Sequence, residues 1–105
     1  MRNKQTTKQG VDMYSLSNPV HPGRVLKNMY MKPSEFNITT LAEKLGVSTS
    51  AVSRLVTEKS DLSYEMAVRL SKVFKRTPEA WMNLQTAYGL ARAQEKIRAE
   101  ESVCA

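Results

Sequence analysis

Residues 41–55 read LAEKLGVSTSAVSRL, and this stretch predicts two short helices that cross. Apolar residues recur at helical spacing on both sides of a central glycine, so each half buries one face. Gly46 tolerates the positive φ of a tight turn, and Ala42 is small enough for the helices to cross there. The inward positions are Leu41, Leu45, Val47, Val52 and Leu55. This combination at fixed spacing is typical of a helix-turn-helix.

The outward positions of the second helix are polar, as expected of a helix that lies in the major groove of DNA. Arg54 is the residue there that can bind a guanine through two hydrogen bonds, whereas serine and threonine distinguish bases poorly. Lys44 and Lys59 are expected at phosphates, because the motif places both beside the duplex. The alternative is an ordinary helical corner whose polar face is solvated. The predicted DNA-contacting residues are Thr40, Lys44, Ser48, Thr49, Ser50, Ser53, Arg54 and Lys59.

Further helices are predicted on both sides of the motif. Pro22 lies in the first turn of one helix, where its missing N–H costs little, and Pro33 is expected to end that helix. Ser63 begins a fourth helix, and Thr77 caps a fifth. No alternating strand pattern occurs anywhere in the chain. The predicted fold class is therefore all-α, with five helices that include the helix-turn-helix.

The domain organisation follows from where helical periodicity starts and stops. Residues 1–20 are polar and aperiodic, which predicts a flexible N-terminal arm. Residues 21–98 form the predicted DNA-binding and dimerisation domain, and residues 99–105 are expected to fray. Within the arm lies one short apolar group: Val11, Met13, Tyr14 and Leu16.

Size, charge and composition limit what this chain does. A chain of 105 residues has room for one small core and little for a catalytic cleft. The formal net charge of +6 suits a polyanionic partner. His21 is the single histidine and Cys104 the single cysteine, so no catalytic pair, metal site or cofactor is expected. No membrane span or signal peptide is visible, so we expect a cytoplasmic protein without a membrane partner.

Residues 21–92 resemble the HigA-type antitoxins, a branch of the Xre and lambda-repressor-like helix-turn-helix proteins. The matching stretches are HPGRVLKNMYM, TTLAEKLGVSTSAVSRLV, MAVRLSKVF and TPEAWMNLQTAYGLA. The last of these is the most specific mark, through Glu79-Ala80-Trp81 followed by Leu84-Gln85 and Tyr88. One departure concerns the turn after the recognition helix. Relatives often carry a glycine there, and this chain has Glu58-Lys59-Ser60.

The resemblance implies a type II toxin–antitoxin module. Such antitoxins neutralise a HigB-like toxin, a ribosome-dependent mRNA endonuclease of the RelE type, and repress their own operon by binding operator DNA. The alternative is a plain helix-turn-helix repressor, of phage or chromosomal type, without a toxin partner. A toxin-sized reading frame beside the gene would favour the antitoxin.

Two partner surfaces are expected beyond the DNA-reading face. One recognition helix reads few base pairs, so a two-fold homodimer is predicted. The fifth helix is expected to supply much of its interface through Trp81, Leu84, Tyr88 and Leu90, although the helical spacing of Trp81 favours a core residue, with the dimer contact as the alternative.

The apolar group of the N-terminal arm is expected to bind the toxin, as a strand or short helix that orders on binding. These residues are Val11, Met13, Tyr14 and Leu16. Two alternatives stay open. The folded helices carry the toxin site, or the basic residues of the arm, Arg2, Lys4 and Lys8, reach along DNA.

Overall fold

The computed structural model describes residues 19–104, which form five helices and no strand. Helix α1 covers residues 22–34 in three consecutive sections: Pro22–Val25 is α-helical, Leu26–Met31 is π-helical and Lys32–Ser34 is α-helical. The other four helices are α2 (Ile38–Leu45), α3 (Thr49–Val56), α4 (Tyr64–Val73) and α5 (Pro78–Cys104). The predicted all-α, five-helix architecture is confirmed.

Side-chain caps define where helices α2 to α5 begin. A polar side chain precedes or opens each helix, and its oxygen accepts a hydrogen bond from the N–H three residues further on, at 2.7–3.1 Å. Each cap pairs a donor that the helix itself leaves free, and contributes about 1 kcal/mol. The four capping residues are Asn37, Ser48, Ser63 and Thr77.

Pro33 does not end the first helix, so that prediction is wrong. The helix continues to Ser34 and ends at Glu35, which adopts a left-handed conformation with φ 60°. The π-helical section explains why Pro33 is tolerated inside the helix. In this section the N–H of Lys32 bonds to the carbonyl of Lys27, five residues back. The wider turn shifts the hydrogen-bond register, and Pro33 then occupies the first turn of a new α-helical section, where no N–H is needed.

Helix α5 is also longer than predicted. It runs to Cys104, whereas the sequence pattern places the start of fraying at residue 99. Residues 90–102 contain neither glycine nor proline and are rich in Ala, Glu, Lys, Arg and Gln. These residues have high intrinsic helix propensity, so the helix continues after its buried face has ended.

The core surrounds Trp81, at the N-terminal end of α5. Its side chain is 0% exposed, and the ring of Tyr30 packs 5.2 Å away between centroids. The guanidinium of Arg76 lies 5.3 Å from the Trp81 ring. Leu84, one turn later on the same helix face, is only 9% exposed. The core role that helical spacing favours for Trp81 agrees with this burial. Both Trp81 and Leu84, which the sequence also predicts as dimer contacts, pack within their own chain and leave little surface for a second copy.

Helix α1 meets α3 at a glycine. A Cβ atom on Gly23 would lie 1.8 Å from the carbonyl oxygen of Leu55, so the two backbones touch. The adjacent His21 is 2% exposed, and its Nδ1 accepts a hydrogen bond of 2.9 Å from the N–H of Gly23. Burial lowers the pKa of His21, an effect that the Glu58 carboxylate and the Ser60 carbonyl offset only in part. The neutral ring therefore keeps the lone pair that caps α1.

Candidate nucleic-acid interface

Helices α2 and α3 pack against each other on either side of a tight turn. Ala42, where the sequence predicts the crossing, is buried, and its carbonyl accepts hydrogen bonds from the N–H groups of Gly46 and Val47, at 2.9 and 3.1 Å. Gly46 has φ 75°, the left-handed conformation that glycine adopts without strain. The two helices and their turn therefore form one rigid unit.

Arg69 of α4 forms hydrogen bonds to this turn, a role that the sequence pattern does not predict. Its guanidinium donates to the carbonyl oxygen of Leu45 at 2.8 Å. Glu65, one turn earlier on α4, accepts from the same guanidinium at 2.8 Å. A C-terminal carbonyl of α2 that would otherwise face water is thus bonded to a side chain on a different helix.

The outward face of α3 is an open polar surface. Thr49, Ser50 and Arg54 are exposed and Ser53 is half-buried. Together with Ile38 they line an open depression of about 420 Å³, here called the α3 depression. The structure thus brings four of the predicted DNA-contacting residues together, and adds Ile38. Ile38 is not among the DNA-contacting residues predicted from the sequence, which are all polar or basic.

The guanidinium of Arg54 is the group on this surface that is best placed to bind a ligand. Its side chain is exposed, and it forms no ion pair with any residue between 19 and 104. Its backbone carbonyl accepts hydrogen bonds from the N–H groups of Lys59 and Ser60, at 2.8 and 3.2 Å. The backbone is therefore held while the guanidinium remains available to a ligand.

The other four predicted residues do not line the α3 depression. Lys59 is exposed in the turn after α3, and Thr40 is half-buried within α2. The Oγ of Ser48 is the N-cap of α3, so one of its lone pairs is already used. Lys44 lies in a groove between α2 and α4, with its ammonium 5.4 Å from the ring centroid of Phe36.

The turn after α3 contains a left-handed residue that is not glycine. Glu58 has φ 65°, a conformation that costs a side-chain-bearing residue about 1 kcal/mol. Its carboxylate accepts a hydrogen bond from Nε of Arg24 at 3.0 Å, which joins α1 to the end of α3. This partly exposed pair contributes up to about 1 kcal/mol and offsets the strain. This ion pair explains how the chain accommodates Glu58, rather than a glycine, in the turn after α3.

No helix within residues 19–104 has the length and apolar character needed to cross a membrane. In the same part of the chain, no cluster of three or more His, Cys, Asp or Glu side chains is arranged to hold a metal ion.

Comparisons with known proteins agree with this geometry. The helix-turn-helix family matches residues 29–81. Virulence-associated protein A from Dichelobacter nodosus is 44% identical over 76% of this chain and 79% of its own. The Pseudomonas aeruginosa antitoxin HigA with higBA promoter superposes with a TM-score of 0.75 at 34% identity, over 78% of this chain and 89% of its own. Antitoxin GraA in complex with its operator gives 0.70 at 39% identity, over 83% and 87%.

Proposed function

Because this chain belongs to the helix-turn-helix family that includes the HigA antitoxins, we propose that it binds its own operator DNA and neutralises a HigB-like toxin. One observation carries the proposal. The exposed polar face of α3 belongs to a fold shared with two antitoxins whose structures contain their promoter or operator. This family consists of DNA-binding regulators and antitoxins, not of enzymes. A protein with these two partners, operator DNA and a toxin, acts in the cytoplasm.

In the proposed complex α3 lies in the major groove. Arg54 donates to O6 and N7 of a guanine, and the short hydroxyl side chains of Thr49, Ser50 and Ser53 contact bases or phosphates. The sugar–phosphate backbone is contacted by Lys44, Lys59, Thr40 and Ser48. The net charge of +6 favours the encounter with DNA.

The proposed dimer interface lies further along α5 than the sequence pattern indicates. Leu90 is 55% exposed and Ile97 is 50% exposed, and Ala93 lies between them on the same helical stripe. Tyr88 is half-buried, and its hydroxyl accepts a hydrogen bond of 2.8 Å from Arg92 of its own chain. Leu90 and Tyr88 therefore remain candidates, and Ile97 replaces the two buried residues. A second copy of the chain covers this stripe and supplies the second recognition helix.

Ile97→Lys is expected to convert a dimer into a monomer at micromolar concentration, because a charge replaces one of the two large apolar side chains of the stripe. Sedimentation or light scattering measures the change. Ala99→Lys is the matched control, since it adds the same charge on the opposite side of α5, at an exposed position. A wild-type protein that is monomeric both free and on DNA would contradict the proposed dimer.

The proposed toxin site is the apolar group of the N-terminal arm, which lies outside the described residues. Its members are Val11, Met13, Tyr14 and Leu16. Four apolar side chains in a polar leader suit a segment that orders on a partner, and such a segment covers a large surface from few residues.

Deleting residues 2–18 is expected to abolish toxin neutralisation and leave operator binding unchanged. Growth rescue during toxin expression and gel-shift titration measure the two functions separately. Two full-length variants refine the test. Serine at all four apolar positions is expected to act like the deletion, while alanine at Arg2, Lys4 and Lys8 keeps neutralisation. Full neutralisation by the truncated protein assigns the toxin site to the helices, and loss of operator binding instead assigns the arm to DNA.

A repressor without a toxin partner is the second candidate. It is favoured by the 44% identity to Virulence-associated protein A, whose name mentions no toxin. Co-expression with the neighbouring reading frame separates the candidates. Co-purification with a small toxic protein supports the antitoxin, and a neighbour that is neither toxic nor bound supports the plain repressor.

A further inference from the structure

Ile38 is the one aliphatic side chain on the wall of the α3 depression. It begins α2, is half-buried, and packs partly against the core. Thr49, Ser50, Ser53 and Arg54 form the rest of the lining. Core packing accounts for the buried half of Ile38, but it does not account for the half that faces this surface. An aliphatic group offers no hydrogen bond, so the exposed half acts by shape and apolar contact alone.

The shape of the depression limits what enters it. Its three hydroxyl side chains are short and leave a space of about 420 Å³ unfilled beside Ile38. The major-groove edges of the bases carry hydrogen-bonding groups and one apolar projection, the C5-methyl group of thymine. An amino group in contact with Ile38 would lose its water without gaining an acceptor from that side chain, which is unfavourable. A methyl group placed against Ile38 also loses its water, and this burial of apolar surface is favourable.

We propose that Ile38 reads a thymine methyl group in each operator half-site. The inference rests on the proposed DNA-binding function and deepens it by naming a base preference. Arg54 lines the same depression and is free to take a guanine, so each half-site carries a thymine and a guanine within reach of one surface. The hydroxyl side chains beside them make room for the methyl group and contribute little discrimination of their own.

The test deletes the methyl group from the DNA rather than from the protein. The preferred duplex is first selected from a random library with the full-length chain. Each thymine is then replaced by deoxyuridine, which removes only the C5-methyl group and keeps base pairing. At one thymine per half-site the replacement is expected to weaken wild-type binding roughly fourfold, the effect of one buried methyl-sized group. At that position Ile38→Ala is expected to bind both duplexes equally.

Two controls separate recognition from folding. Val73→Ala removes a half-buried aliphatic side chain packed against the same core at the end of α4, and it is expected to keep the full methyl effect. Ile38→Val is shorter by one methylene, keeps the fold and reduces the effect. If the wild-type protein selects an operator but Ile38→Ala retains every methyl effect, the inference is wrong and the DNA-binding function stands. If the wild-type protein selects no sequence, the proposed function itself fails.

Discussion

Gly23→Ala is expected to lower the free energy of unfolding by about 3 kcal/mol, the upper end of the usual cost of overpacking. The added Cβ would lie 1.8 Å from the carbonyl oxygen and 2.7 Å from the carbonyl carbon of Leu55. Both atoms belong to the backbone of α3, so no side chain is able to rotate out of the way. Helix α1 has to move off the recognition helix, which opens the core on that side. Denaturant titration followed by circular dichroism measures the loss.

Gly89→Ala is the matched control for this substitution. Gly89 lies within α5, and the nearest atom to its added Cβ would be Nε2 of Gln85, at 3.9 Å. Because alanine favours the helix over glycine by about 1 kcal/mol, this variant is expected to be more stable than the wild-type chain. The same chemical change thus has opposite signs at two positions. A Gly23→Ala protein as stable as the wild type would refute the close contact between α1 and α3.

Arg54→Ala is expected to weaken operator binding by about 1–3 kcal/mol, or roughly 5- to 150-fold. The guanidinium is exposed on the outward face of α3 and is in no ion pair with the described residues, so its hydrogen bonds are available to a guanine. The fold is expected to remain intact, because the side chain contributes little to the core. Gel-shift or fluorescence titration against the operator and against an unrelated duplex measures the loss of affinity and of selectivity.

Arg54→Lys tests whether geometry or charge is responsible. Lysine keeps the positive charge but lacks the planar fork that binds O6 and N7 of guanine together. It is expected to keep the salt dependence of binding and to lose most of the selectivity. Lys59→Ala should do the reverse, lowering the affinity for all duplexes alike and reducing the salt dependence. Operator affinity unchanged in both Arg54 variants would exclude α3 as the reading helix.

The sequence by itself determined the helix-turn-helix and most of the helix starts. The residues responsible act on neighbours within about one or two helical turns. Ser48 caps a helix, Gly46 forms a left-handed turn, and Ala42 is small enough for two helices to cross. Such local interactions have the same geometry in any fold, so their spacing is readable without knowing the rest of the molecule. The polar outward face of α3 follows from the same periodicity.

Only the tertiary structure decided what each buried or exposed face meets. Helical periodicity predicts that Trp81 faces an apolar partner, but the partner is the core of the same chain, at 0% exposure. Gly23 approaches Leu55, which lies 32 residues further along the chain. The pairing of Ile38 with the face of α3 depends on how two helices cross. The pattern along a chain tells which side of a helix avoids water. Which surface covers that side depends on the packing of all the helices together.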